Sequence, residues 1–224
     1  GSLVVGSQTL KDMYRFSVTA NNGDIAISRM SFAVSSSSVS ATTSTYGLYV
    51  YTDSGYSTID STFTTDGLIN YGNCVNGRQN ITNTGVVSLA NQLTSSPAPG
   101  SAITIVPDKG TTACNATTTY IVPSGATRYF SFKATVSNVE AATGVETISA
   151  TLNGDSAYPT IGDVMGANMF TSAGVITNTN ASFVWSPIST TTSSTRFDLD
   201  FTNSYGVSGL PASGMSIEYF TSPN

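Results

Sequence analysis

The sequence predicts an all-β fold, an antiparallel β-sandwich of jelly-roll-like type with little helix, and three observations carry that expectation. Apolar and polar residues alternate with a period of two through much of the chain, the mark of strands with one buried face. Clusters of Gly, Pro, Asn and Ser separate the alternating runs. Helical spacing is confined to Val86–Leu93 and Ile161–Met169, and Gly162 and Gly166 weaken the second stretch.

Taken in order, Tyr14, Phe16 and Val18 alternate with Arg15, Ser17 and Thr19, which predicts a strand with its rings inward. Ile25 and Ile27 keep one phase and Met30, Phe32 and Val34 take the other, so a β-bulge is expected near Ser28-Arg29, where one extra residue returns the apolar set to the core. The run Tyr46-Gly-Leu-Tyr-Val-Tyr-Thr52 carries rings on both faces and is expected to be central or to meet a second layer. Strands follow at Ala102–Val106, Thr118–Val122 and Arg128–Val136, with a turn at Pro123-Ser-Gly-Ala126 and with Phe130, Phe132, Ala134 and Val136 inward. Ile148, Ala150 and Leu152 precede an expected Asn153-Gly154 turn, and Phe183 and Trp185 mark a short strand expected to stop at Pro187. Arg196, Asp198 and Asp200 interleave with Phe197, Leu199 and Phe201, and Met215, Ile217 and Tyr219 are expected to repeat the inward phase. Roughly ten to twelve strands with such turns suit a sandwich. The chain is read as one domain over residues 1–224, with a weak subdivision at Ser95-Ser-Pro-Ala-Pro-Gly100.

Composition narrows the function. Only 9% of the 224 residues are charged and none is histidine, whereas roughly three in ten are Ser or Thr, so hydroxyls replace ions as the solvated groups. With 39% hydrophobic residues, 11 Tyr and 10 Phe, the chain holds enough apolar area to offset its conformational entropy, unlike a disordered stalk. A net charge of −5 with scattered basic residues argues against nucleic acid as a partner. No apolar run reaches the roughly 18 residues of a membrane span. No basic-then-apolar leader opens the sequence, as expected after cleavage or trimming, and Gly1-Ser2 reads equally as native or as a cloning scar.

A Ser-His-Asp mechanism lacks its general base, and no acidic pair sits among exposed rings as a glycosidase needs, so the chain is read as a non-enzyme with no cofactor, no catalytic residue and no metal site. Asp198 and Asp200 have a spacing open to Ca²⁺, but alternation puts them on a solvated face. Cys74 and Cys114 lie in polar segments, Gly-Asn-Cys-Val-Asn-Gly and Thr-Ala-Cys-Asn-Ala-Thr, which favours a disulfide of an oxidising compartment; closing that loop would contribute about 4 kcal/mol. Tyr46, Tyr49, Tyr51 and Tyr56 cluster in one strand and its following loop. Tyr49 and Tyr51 are the candidate glycan contacts, with a role at the rim of the core as the alternative. Lys133, opposite in phase to Phe132 and Ala134, is expected to be a solvated lysine and not an isopeptide staple. Leu3, Val4 and Val5 form a short apolar β-former before the flexible Gly6-Ser7. The segment either completes its own sheet or adds a strand to a neighbouring copy, which builds open fibres when the rotation does not close.

Asp155-Ser-Ala-Tyr-Pro159, Asn180-Ala-Ser-Phe-Val-Trp-Ser-Pro187, the tract Thr190–Thr195 and Asp200-Phe-Thr-Asn-Ser-Tyr-Gly-Val-Ser-Gly-Leu-Pro211 together resemble the closing segment of uncharacterised, Ser/Thr-rich secreted proteins of uncultured candidate-phylum bacteria. Leu3-Val-Val-Gly-Ser7, Tyr14-Arg-Phe16, Gly23-Asp-Ile-Ala-Ile27 and Tyr120-Ile-Val-Pro-Ser-Gly125 are similar to the sandwich modules of those proteins, so the likeness spans most of the chain. Phe201 stands where that tail usually has Trp, and Ser204 where it has Gly. The resemblance implies a secreted, structural, all-β protein of the bacterial cell surface and names no catalytic or binding residue. The expectation is therefore an extracellular structural subunit or module of a surface layer or pilus-like fibre. Its partners would be copies of itself or other surface proteins, and the alternative is a glycan-binding or adhesive module.

Overall fold

A computed structural model describes residues 1–36, 40–70, 101–107, 119–140, 145–159, 181–188 and 201–223. Two antiparallel sheets face each other. One has three strands in the order β1 (Gly6–Thr19), β6 (Thr127–Val139), β3 (Thr42–Tyr51). The other is built on β2 (Asp24–Ser36), which pairs with β5 (Tyr120–Val122) and β8 (Phe183–Ile188) along its first half and with β4 (Ser101–Ile105) and β7 (Thr147–Leu152) along its second. β9 (Thr202–Asn203) extends the sheet beyond β8, and β10 (Glu218–Thr221) extends it beyond β7. No helix occurs among the described residues, and none there is long and apolar enough to cross a membrane. The sandwich is plain, whereas the described strands do not by themselves trace the two Greek keys of a jelly roll.

The alternation read from sequence sets which faces meet. Tyr14 and Phe16 from β1, Phe130 and Phe132 from β6 and Tyr46, Leu48 and Val50 from β3 turn inward against Ile27, Met30, Phe32 and Val34 of β2, and all are buried. The rings form a continuous spine through the layer. Tyr46 stacks on Phe132 at 5.7 Å and Phe132 on Phe32 at 4.1 Å, after which the contacts run through Phe16 and Phe130 to Tyr120 and Phe63. One apolar core thus takes residues from Leu3 to Phe220.

The expected bulge is present. The β2–β8 register slips between Ile27 and Arg29, and Met30, Phe32 and Val34 return to the core behind it. The Pro123–Ala126 turn also forms, closed by Ala126 N–H donating to the Pro123 carbonyl at 3.0 Å, with Gly125 at φ +73°.

Three expectations fail for physical reasons. Ile217 and Tyr219 are exposed while Phe220 is buried, because β10 pairs with β7 so that Phe220 lies opposite the inward Ile148. Asn153-Gly154 is not a hairpin turn. Asn153 N–H extends the ladder to the Ser31 carbonyl at 2.9 Å, and a Cβ on Gly154 would lie 2.0 Å from the Pro211 carbonyl oxygen, so this glycine admits a crossing backbone. The strand at Phe183 does not stop at Pro187 but runs to Ile188, since β9 pairs only with Val184 and Trp185 and the missing N–H disrupts no described ladder bond.

Asp155 fastens the end of the second sheet. Its buried carboxylate accepts from Ser182 N–H at 2.6 Å, Phe183 N–H at 3.2 Å, Ser204 N–H at 3.0 Å and Ser204 Oγ at 2.7 Å. It thereby joins three segments distant in sequence, those beginning near 155, 181 and 201. Arg29, buried at the bulge, is drawn down to about 10 by burial, against the opposing pull of Asp155.

The 71–100 segment with Cys74 and the Ser95–Gly100 break, Cys114, Asp198 and Asp200, and both short helical stretches lie outside the described residues. Phe132, sandwiched between Phe32 and Tyr46 at no exposure, makes the most demanding core position; Phe132→Ala should lower the unfolding free energy by about 3–5 kcal/mol, read from the urea midpoint at unchanged slope.

Candidate functional site

The outer face of the three-stranded sheet gathers most of the residues singled out for recognition. Alternation along β3 sends Tyr46 into the core and leaves Tyr49 and Tyr51 on the opposite face. The β3–β6 register sets Tyr49 opposite Ser131 and Tyr51 opposite Tyr129, and β1 sets Arg15 opposite Ser131 and Asp12 opposite Lys133. Three cross-strand rows result: Ser17–Tyr129–Tyr51, Arg15–Ser131–Tyr49 and Asp12–Lys133–Gly47.

Tyr56 reaches the same face from the loop after β3. Asp53 holds that loop, its carboxylate accepting from Ser57 N–H at 3.1 Å, Ser57 Oγ at 2.9 Å and Thr58 N–H at 2.5 Å. These bonds, the one from the Thr58 backbone foremost, hold the Asp53 carboxyl down at about 2. They also keep Tyr56 at φ +56°, a conformation costly for a ringed side chain. Its ring meets Tyr51 edge-on at 5.5 Å and Tyr129 at 6.0 Å.

Cations lie over these rings. The Arg15 guanidinium sits 4.4 Å from the Tyr56 centroid, and Lys133 Nζ sits 4.9 Å from Tyr49 and 5.7 Å from Tyr51. Asp12 ties the two cations together, 2.7 Å from Arg15 and 3.6 Å from Lys133, and also accepts from Ser131 Oγ. Burial pushes the Asp12 carboxyl up, but Ser131, Lys133 and Arg15 outweigh it and hold it below the usual carboxylate range. Burial, with Asp66 and Tyr51 adding, pushes Tyr49 up to about 12. Lys133 thus points outward as expected, but it is mostly covered, lying over two tyrosines and ion-paired instead of simply solvated. Tyr51 is only 7% exposed.

The 52–70 segment also seals the outer edge of β3. Val50 N–H donates to the Gly67 carbonyl, Asp60 N–H to the Val50 carbonyl, Ile69 N–H to the Leu48 carbonyl, and the Asn70 side chain bonds Leu48 N–H and the Tyr46 carbonyl. Asp60 anchors this cover. Its buried carboxylate accepts from Tyr120 Oη at 2.9 Å, Arg128 Nε at 2.5 Å, and Thr62 through both N–H and Oγ1. Sequence reading finds Tyr49, Tyr51 and Tyr56 but misses Tyr129, although its phase, shared with Lys133, is the available signal. It also misses Asp60, whose partners lie some 60 residues away.

Leu3, Val4 and Val5 lie beside β10, the end strand of the larger sheet. Ser2 bridges Thr221 in parallel, Leu3 N–H donates to the Thr221 carbonyl at 2.8 Å and Thr221 N–H to the Gly1 carbonyl at 3.2 Å. Leu3 is 2% exposed within the core, while Val4 and Val5 face outward. Gly6, at φ +94°, then turns the chain into β1 of the other sheet.

No protein-family model, curated protein or solved structure matches the chain.

Asp60 gives the site a pH signature. Burial pushes its carboxyl up, yet the bonds from Thr62, Tyr120 and Arg128 outweigh that and set it below its unfolded value. Its contribution is therefore complete above the unfolded pKa and is lost as pH falls through the lower folded value. Asp60→Ala should cost about 3 kcal/mol near neutral pH by stranding Arg128. The gap between wild type and variant in urea titrations should narrow as pH drops from about 5 toward 2.

Proposed function

We propose that the chain is an extracellular structural module of a bacterial surface layer or pilus-like fibre, assembling with copies of itself through its first residues. The geometry of the Gly1–Val5 segment carries this reading. It behaves as an added strand, parallel to β10 where the described strands pair antiparallel, with one buried anchor, Leu3, and a glycine joint at Gly6. A segment docked by one side chain and a few backbone bonds can be exchanged for the same segment of another copy at little enthalpic cost, because the contacts are identical. Such exchange is head to tail and propagates when the rotation does not close.

Two further features support the reading. Charge is scarce at 9%, which suits close packing of like subunits. The resemblance of the 155–159, 180–187 and 200–211 segments to secreted bacterial surface proteins points to the same compartment, and the disulfide expected between Cys74 and Cys114 belongs with it.

Glycan binding at Tyr49 and Tyr51 is the second reading, favoured by the row of rings on one sheet face. It is the weaker one, since Lys133 occupies the faces of both rings and Tyr51 is nearly covered.

Because Leu3 lies in the core, Leu3→Asp would damage the fold as well as assembly, so exchange is better read covalently. In the double variant Ser2→Cys, Thr221→Cys, oxidation should yield a ladder of linked chains on a non-reducing gel, growing with protein concentration and absent from either single variant. Cross-linked monomer alone at every concentration would reject strand exchange.

A further inference from the structure

Tyr158 and Tyr205 make an exposed aromatic corner beside β9 of the larger sheet, whereas Tyr49 and Tyr51 belong to the three-stranded one. Their rings meet edge to face, 4.6 Å between centroids at 67°, with Tyr158 75% and Tyr205 41% exposed. Such a pair buries little area, so it contributes little to folding. Its base, in contrast, is among the most heavily bonded parts of the described structure.

Tyr205 stands at the second position of a reverse turn, Ser204-Tyr-Gly-Val207, closed by Val207 N–H donating to the Ser204 carbonyl at 2.9 Å. Gly206 at φ +79° supplies the conformation that a type II turn requires at its third position. Ser204 is held by the Asp155 carboxylate through N–H and Oγ. The buried Asn203 side chain brackets both tyrosine-bearing segments: its Nδ2 donates to the Ala157 carbonyl at 2.9 Å and its Oδ1 accepts from Tyr205 N–H at 3.1 Å. Trp185 Nε1 pins the Asn203 carbonyl at 3.0 Å. Two rings are therefore presented to solvent in a fixed relation, on backbone that has little freedom to lose on binding.

We propose that Tyr158 and Tyr205 form a binding corner for a neutral saccharide. The edge-to-face arrangement leaves ring faces open at an angle. A pyranose offers a C–H face that suits the negative face of a tyrosine ring, with hydroxyls at its rim for the phenol groups. Neither phenol has a hydrogen-bond partner among the described residues. The carboxylate beneath the corner, Asp155, is buried and its oxygens are taken up by four donors, so it offers a ligand no free acceptor. Tyr49 and Tyr51 differ in access, being covered by Lys133 and largely buried. A proline-rich peptide also stacks on tyrosine, but it docks into an aromatic-lined groove, and a ring exposed as fully as Tyr158 projects instead of lining one. The corner acts independently of strand exchange, so either can fail without the other.

The test is native electrophoresis of the full chain through gels containing β-glucan, xylan, galactomannan or starch, with alginate as the anionic comparison and a decaproline titration followed by tyrosine fluorescence. Retardation by at least one neutral polysaccharide is expected, weakened about tenfold in Tyr158→Ala and in Tyr205→Ala and unchanged in Tyr219→Ala, an exposed tyrosine outside the corner. Tyr158→Leu, which keeps apolar bulk without the flat face, should behave like Tyr158→Ala, and unaltered melting curves of these variants separate lost binding from lost folding. Absence of retardation in every neutral gel, retardation indifferent to both tyrosines, or engagement of alginate or decaproline alone would overturn the proposal.

Discussion

The structure depends on β2 being buried on both faces. Its inward residues, Ile27, Met30, Phe32 and Val34, pack across the sandwich on the rings of β1 and β6, with Phe32 stacked on Phe132 at 4.1 Å. Its other face is covered as well: Ala26 packs with Ala181, Val184 and Phe201, and Ser28, Arg29 and Ser31 are buried. A buried strand must pair its backbone groups with its neighbours, and β2 pairs along its length with β5, β4, β8 and β7. The bulge at Ser28 reconciles the two halves, because without it the second half would turn its apolar residues away from the rings.

That arrangement separates the molecule into a stable layer and two differently equipped surfaces. On the three-stranded side, tyrosines are tied down by Arg15 and Lys133, which Asp12 holds, and the edge of β3 is closed by the segment that Asp60 anchors. On the other side, the Asp155 carboxylate and the Asn203 amide draw together three stretches of chain and lift Tyr158 and Tyr205 clear of the surface. Beside β10, Leu3 is the buried residue of the Gly1–Val5 segment. A protein with so few charges thus spends two of them internally, at Asp60 and Asp155, where each carboxylate organises a segment that has little apolar area of its own.

The strands of the core were legible because each carries its own alternation. Tyr14-Phe16-Val18, Phe130-Phe132-Ala134 and the phase change at Ser28-Arg29 are local patterns, and local sterics dictate the face that each residue takes. Legibility ended where pairing with a distant strand decides the phase. Phe220 is inward because Ile148 is, and nothing within the Met215–Tyr219 stretch reports that partner. The Asn153-Gly154 pair looks like a hairpin signal, yet the close passage of Pro211 is what requires the glycine. The polar anchors were the least visible. Asp155 gathers donors from residues 182, 183 and 204, and the three motif segments that stand apart in the sequence share this one carboxylate. Of the recognition residues, Tyr49 and Tyr51 could be placed on one face from period two alone, but the cation over them could not.

Native-state hydrogen exchange measures the role of β2 most directly. If β2 holds both layers together, its amides from Ala26 to Val34 open only with global unfolding and exchange at the rate set by the full unfolding free energy, whereas those of β10 and the Gly1–Val5 segment exchange through smaller local openings. Exchange of the β2 amides as fast as those of β10, or through a sub-global opening that leaves β1, β6 and β3 protected, would contradict the account.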